Sequence, residues 1–294
     1  MARHIRVPGV VDLLLVTDPP EIRALNEDPG VDRKFLPRGP LVNQLIAGRI
    51  WRWFEIKGEP LPSLAPRADK LRASKQRELA RALDPASGKT LWSGEQISKL
   101  ASFVRGRGTN ESAAITIQEI VGRQFDPQYR ADQESWQAAA LIDRFREGFS
   151  PLQIVWQITG RLKQAFALLI RRAKEDRWAM HGTAIGVHGI VRAIGRMRQL
   201  RAEPHAGLLS IDAVLGRCLA PPARVPRTIE SNVPFGTGEL RPGTLAILKL
   251  DNGEATAPGG EAVFMAGHWN SCPAQAFVTA LLQEVWRRSL TEGA

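Results

Sequence analysis

Phe264-Met265-Ala266-Gly267-His268-Trp269-Asn270-Ser271-Cys272-Pro273-Ala274-Gln275 places a cysteine directly before a proline, at the start of an apolar helical pattern that runs to about Arg288. The pattern predicts a final helix with Pro273 as its first residue, a position where the missing N–H costs nothing. Cys272 then sits where the unpaired N–H groups and the positive end of a helix favour an anion. Such a place lowers a thiol pKa and keeps a thiolate ready to ligate a metal. A Cys-Pro helix start alone more often holds a buried, inert cysteine, so its surroundings decide between the two.

Cys218 and Cys272 are the two cysteines in 294 residues, too few for a disulfide framework. They and the five histidines form no CxxC or HxxxH pair, which argues against zinc. A functional cysteine here acts singly, as a nucleophile or as one axial ligand. Apolar residues make up 44% and charged residues 24%, as in an ordinary globular protein with a sizeable core. The longest apolar runs are too short to span a bilayer. Met1 to Arg6 lacks the apolar core of a secretion signal, so a cytoplasmic location is expected, with no membrane partner. The net charge of +10 suits nucleic acid or an acidic protein partner. Sign alternation through Arg171-Arg172-Ala173-Lys174-Glu175-Asp176-Arg177, and the absence of a zinc finger, RNP-like motif or basic tail, argue against nucleic acid.

Upstream, Asp12–Thr17 reads as a short buried strand ended by Asp18-Pro19-Pro20, and Glu21–Glu27 as a helix stopped by Asp28-Pro29-Gly30. Residues 31–66, rich in Pro, Gly and Arg, read as mostly irregular, with Trp51-Arg52-Trp53-Phe54 as an aromatic knot in the core. Ala68–Leu83, Gly94–Val104, Ala113–Val121, Asp132–Glu147 and Pro151–Lys174 read as helices between Gly, Pro or Asn signals. From Pro221 the character changes, with short strands at Val225–Thr228, Leu245–Leu250 and Gly253–Ala257. The expected class is mainly α with small β-sheets (α+β). No internal repeat or low-complexity linker divides the chain, so residues 1–294 are expected to form a single domain.

Trp178–Leu200 carries Ala179, Gly182, Gly186 and Gly189 on one face at helical spacing. Each mid-helix glycine costs about 1 kcal/mol relative to alanine. Two explanations stand side by side: a closely crossing helix, or a flat, rigid object such as a porphyrin lying along that face.

A Phe, then a Gly, then a Cys-Pro entering an apolar helix resembles the haem-binding loop of the cytochrome P450 family. Cys272 lies eight residues after Phe264 where the family has seven, and Ala274 stands where glycine is usual. Ala179-Met180-His181-Gly182-Thr183-Ala184 is similar to the family's Ala-Gly-x-Asp/Glu-Thr-Thr segment on the oxygen-binding side of the haem; Ala179 and Thr183 match, and Gly182 takes the acidic position. Pro221 to Thr228 follows the family's order, with Arg227 at the place of an arginine that pairs with a haem propionate. Gly238–Lys249 resembles the strand turn that comes next in the family. Pro66 to Arg72 is similar to a His-x-x-x-Arg helix in which Ala68 replaces the histidine and Arg72 keeps a second propionate contact. The Glu-x-x-Arg signature is absent, Ala213-Val214-Leu215-Gly216 standing in its place. The likeness is strong over residues 179–286, weak over 11–83 and faint over 84–178.

What the resemblance implies is a shortened, divergent haem-thiolate protein. Its iron is ligated by Cys272 and its haem held by Arg72, Arg227, Phe264, Gly267, Ala179 and Gly182. Thr183 and His181 stand on the catalytic side, and His188, which faces elsewhere, is structural. The substrate is a small organic molecule, oxidised as by a monooxygenase or with peroxide, or changed by redox-neutral haem chemistry. If electrons are delivered, the basic surplus predicts an acidic ferredoxin-like donor. The alternative is a helper or scaffold without chemistry that binds a partner protein.

Overall fold

The computed structural model describes residues 2–33, 38–147, 160–222, 224–250, 261–265 and 269–291. In chain order its elements are β1 (Arg3–Val7), β2 (Val11–Val16), α1 (Pro19–Glu27), β3 (Val31–Asp32), α2 (Leu41–Trp53), β4 (Glu55–Ile56), β5 (Glu59–Pro60) and α3 (Lys70–Ala82). Next come α4 (Gly94–Val104), α5 (Asn110–Arg123), α6 (Gln133–Glu147), α7 (Arg161–Arg172) and α8 (Arg177–His181). A π turn at Gly182–Gly186 leads into α9 (Val187–Arg201) and α10 (Ile211–Cys218). The last are β6 (Arg224–Ile229), β7 (Val233–Phe235), β8 (Gly238–Leu240), β9 (Leu245–Lys249), α11 (Glu261–Phe264) and α12 (Gln275–Thr291). The chain is mainly α with small sheets, as expected. No helix among the described residues is long and apolar enough to cross a membrane.

The elements gather into two compact units, residues 1–74 with 221–272, and residues 75–220 with 273–294. In the first, a five-stranded sheet runs β1-β2-β9-β6-β3, with β2 and β9 parallel and the other neighbours antiparallel. β2 alternates strictly, burying Asp12, Leu14 and Val16 while Val11, Leu13 and Leu15 stay half-buried. The inward positions join Ile22 and Leu25 of α1, Val31, Ile229, Ala246 and Leu248 in one apolar core. Asp12 enters that layer because its carboxylate meets His4 Nε2 at 2.6 Å and its backbone is held at both ends by the Asn43 amide. Gly39 and Gly243 press two turns together at φ +98° and +88°, and a Cβ on Gly243 would lie 2.5 Å from the Gly39 Cα. Gly243→Ala is therefore expected to cost about 1–3 kcal/mol in urea denaturation.

Helix α2 corrects the expectation that residues 31–66 are irregular. Gly39 and Pro40 mark the start of a helix rather than a continuing loop, as proline does at a first turn. Phe54 is buried as expected; the Trp51 and Trp53 side chains, like residues 253–257, lie outside what the structure describes. Strand β1 was not expected either: Arg3, His4 and Arg6 mask its apolar alternation.

The second unit is helical. α4 begins with a reciprocal cap, Ser93 Oγ accepting from the Gln96 N–H while Gln96 Oε1 accepts from the Ser93 N–H. Asp132 and Ser135 cap α6 in the same way. His188 is buried in this unit, stacked on Trp136 and bonded to the Ala139 carbonyl at 3.1 Å, a structural placement.

Candidate functional site

In the sheet-bearing unit, Phe264 ends α11 and is buried, and Met265 turns the chain with φ +51°. The Cys272 N–H donates to the Phe264 carbonyl at 2.7 Å, closing the loop, and Cys272 itself is exposed. Gly267 lies outside the described residues. The last helix begins at Gln275, with the Val278 N–H on the Ala274 carbonyl, and not at Pro273. Cys272 is thus three residues ahead of the helix in the chain, and a neighbouring cation favours an anion there.

That cation is Arg33, part of a cluster the sequence shows only in pieces. Arg227 on β6 is 1% exposed and Arg72 on α3 is 3% exposed. Arg33 comes directly after β3 and is partly buried. One carboxylate, Asp32, serves all three, and its oxygens accept from the backbone N–H groups of Arg33 and Arg67. The guanidiniums find neutral partners instead. Arg227 donates to Asn26 Oδ1 and the Pro226 carbonyl, Arg72 to the Ala65 carbonyl, and Arg33 to the Asn270 and Pro62 carbonyls. Trp269 lies under Arg33, Arg67 and Arg72 at 5.4, 5.5 and 4.6 Å from its ring centre, with its indole N–H on the Asn26 carbonyl.

This arrangement shifts each charge. Burial, then Arg72, pushes Arg227 down to about 9, with Asp32 opposing. Burial pushes Arg72 down to about 10, against Asp32 and Asp69. Burial, then Arg227 and Arg72, pushes Arg33 well below the ordinary guanidinium range, while Asp32 and Cys272 pull it back. Buried charge of one sign without matching counter-charge is costly, and a cluster that persists invites an anion. Arg33 Nε and Arg72 Nε are buried with no hydrogen-bond partner among the described residues. A ligand carrying two carboxylates would meet both the charge and the idle donors, so the residues present fit haem propionates. No group of three or more His, Cys, Asp and Glu among the described residues could hold a metal ion, so a metal at Cys272 would take one ligand from this set.

Arg72 and Arg227, named from the sequence, come together here with Phe264 and Cys272. Arg33, Asp32, Asn26 and Trp269 were missed. Trp269 lay in plain view within the quoted loop, but Asn26 and Arg33 stand in an unremarkable helix end and strand end, and nothing in their spacing announces them.

The remaining named residues lie in the helical unit. Ala179 is buried, His181 ends α8 partly buried, and Thr183 is 1% exposed. The helix is not continuous here. The Val187 N–H reaches the Gly182 carbonyl across a π turn, and one extra residue swings the rest of the helix by about 100°. The four small residues therefore do not share one face. A Cβ on Gly182 would meet Phe125 at 3.0 Å and Val121 at 3.3 Å, so this glycine admits closely crossing α5; Gly189 has nothing within 4 Å.

Thr183 Oγ1 donates to the Ala179 carbonyl at 2.7 Å, and its own carbonyl accepts from Gln118 Nε2 at 3.1 Å. Gln118 also donates to the Ser135 carbonyl and accepts from Ser135 Oγ, all fully buried. Burial raises the Tyr129 phenol, with the nearby Thr183 hydroxyl opposing. Gln118→Leu removes both of these bonds to buried carbonyls and is expected to cost about 1–3 kcal/mol in urea denaturation.

No family model matches the sequence, and no curated protein matches it. Solved structures do match. A six-coordinated cytochrome P450 from Thermus thermophilus is 15% identical with a TM-score of 0.60, over 94% of this chain and 84% of that one. CYP154C4 from Streptomyces sp. ATCC 11861 is 15% identical with a TM-score of 0.59, over 99% and 84%. CxnD, a cytochrome P450 enzyme for C–S bond formation in chuangxinmycin biosynthesis, is 9% identical with a TM-score of 0.59, over 95% and 79%. At such identities the likeness speaks for the fold, which is cytochrome P450-like.

Proposed function

We propose that this chain is a haem-thiolate oxidoreductase acting on a small organic molecule, with Cys272 as the axial ligand. The observation that carries the reading is the surplus of buried guanidinium beside the loop that presents Cys272. Arg33, Arg72 and Arg227 would take the propionates, each through the charge-assisted bonds that arginine forms well. When bound, haem with a thiolate ligand supplies oxidative chemistry in which the sulfur's electron density favours O–O cleavage. Cys272 keeps its sulfur available because the Phe264 carbonyl holds its backbone, and Arg33 favours the sulfur's negative charge. Solved cytochrome P450 structures align with 94% of the chain or more, which supports treating both units as one domain of that type.

The catalytic parts assigned to Thr183 and His181 rest on their match to the family's distal segment. Thr183's proton is engaged on the Ala179 carbonyl, and Gly182 offers no carboxylate beside it. A relay from acid to alcohol is therefore missing a member. Peroxide-driven oxidation, or redox-neutral haem chemistry, depends on that relay less than dioxygen activation does. If electrons are delivered, the net charge of +10 suits an acidic ferredoxin-like donor.

Purification of the full chain after growth with a haem precursor tests the reading. About one haem per chain is expected, with turnover of small aromatic or fatty substrates on adding peroxide. Protein that emerges free of haem and stays so on titration with hemin would transfer the favour to a helper that binds a partner protein.

A further inference from the structure

Five of the seven large apolar side chains exposed among the described residues fall in one place on the sheet-bearing unit: Ile5, Val7, Val10, Leu41 and Leu45, at 40 to 65% exposure. They are gathered by the chain itself. The Leu41 N–H donates to the Gly9 carbonyl and the Val42 N–H to the Val10 carbonyl, which ties the start of α2 to the turn after β1. An apolar cluster of this kind is a usual mark of an interaction surface.

Beside it, β1 is the outer strand of its sheet, and all five of its residues are exposed. Only alternate residues of an antiparallel strand bond to the neighbour, so β1 directs the other N–H and C=O groups outward. Proteins blunt such an edge with charges, proline, a bulge or a cover, and β1 carries the first of these in Arg3, His4 and Arg6. Arg3 to Val7 has no proline and pairs with β2 residue for residue, without a bulge.

The segments that build the edge carry more basic than acidic residues. Residues 2–17 and 38–46 contribute Arg3, Arg6 and Arg38, and their one acid, Asp12, is buried against His4 and Arg6. We propose that the outer edge of β1, with the apolar cluster beside it, docks an extended segment of a partner protein that alternates acidic and apolar residues and adds to the sheet as a sixth strand. Backbone pairing supplies the affinity in this mode, and alternate side chains the selectivity. The partner's apolar residues lie beside Ile5 and Val7, and its acids, on the other face of the strand, meet Arg6. A second copy of this chain would bring a second set of Arg3, His4 and Arg6 to the edge and no acid to meet them. An anionic lipid surface would use the cations and the apolar cluster but leave the outward backbone groups without partners. None of these residues belongs to the arginine cluster around Cys272, so the inference stands apart from the haem reading.

A fluorescein-labelled peptide alternating valine and glutamate, titrated against the full chain by anisotropy, tests this. Binding is expected, weakened more than about tenfold by Ile5→Asp or by N-methylation of the peptide backbone, and unchanged by Leu208→Asp at a distant exposed site. Absence of binding, or binding indifferent to N-methylation, overturns the proposal. So does self-association abolished by Ile5→Asp in sedimentation velocity, or flotation with phosphatidylglycerol vesicles that is abolished by Leu41→Asp while the peptide fails to bind.

Discussion

Reduced and exposed to carbon monoxide, the full chain should give a strongly red-shifted Soret band that vanishes in Cys272→Ala and survives in Cys218→Ala. The contrast between the two cysteines makes the result decisive. Cys218 is 1% exposed at the end of α10, and burial pushes its thiol up to about 11, so it stays protonated and cannot replace a thiolate ligand. Cys272 is exposed and shares its surroundings with Arg33, whose charge favours the anion. Cys272→Ala removes no buried volume, so a lost band in a chain with unchanged circular dichroism speaks of ligation. A band of the same position in Cys272→Ala would end the thiolate assignment. A band lost in both variants would leave the sulfur without a specific role.

The second large effect is a pair of opposite signs in one variant. Arg227→Met should weaken hemin binding about 10- to 100-fold, from one charge-assisted interaction worth about 1.5–3 kcal/mol. The same change should leave the haem-free protein as stable as before or raise its stability by about 1–3 kcal/mol, because an under-compensated buried charge gives way to an apolar side chain of similar length. Hemin titration and thermal melts of the haem-free protein measure the two arms. A variant that is both less stable and unaltered in hemin affinity would make Arg227 an ordinary structural arginine.

The same arginines set the sign of the pH dependence. Arg227 and Arg72 have folded pKa values below the unfolded one, so the unfolded chain holds more protons wherever they titrate. Their part in the stability of the haem-free protein therefore grows as pH rises through about 9, and is at its most unfavourable below that. Propionates bound to both guanidiniums would flatten this slope.

The elements legible in advance were those whose pattern is local. β2 shows its apolar run before Asp18-Pro19-Pro20, α1 its stop at Asp28-Pro29-Gly30, and α4 its start at Gly94, and all three fall within a residue or two of where they were placed. Cys272, Arg72 and Arg227 were legible because each sits in a stretch similar to a known pattern. α2 was hidden by the Pro and Gly around it, and β1 by the charges that an exposed edge strand can carry at no cost. The π turn was invisible because helical spacing on either side of it looks continuous, and only the Val187–Gly182 bond reveals the extra residue.

The sequence by itself determined the fold class, the cysteine presented by a loop before the last helix, and two of the arginines. Tertiary structure alone decided that Arg33, Asp32, Trp269 and Asn26 join them, and that α5 comes close against Gly182. The reason is range. Caps and alternation act within a few residues, where spacing records them. Charge compensation and steric fit act between side chains that can stand far apart in the chain, as Asn26 and Arg227 do. No local pattern registers such a pairing until the chain has folded.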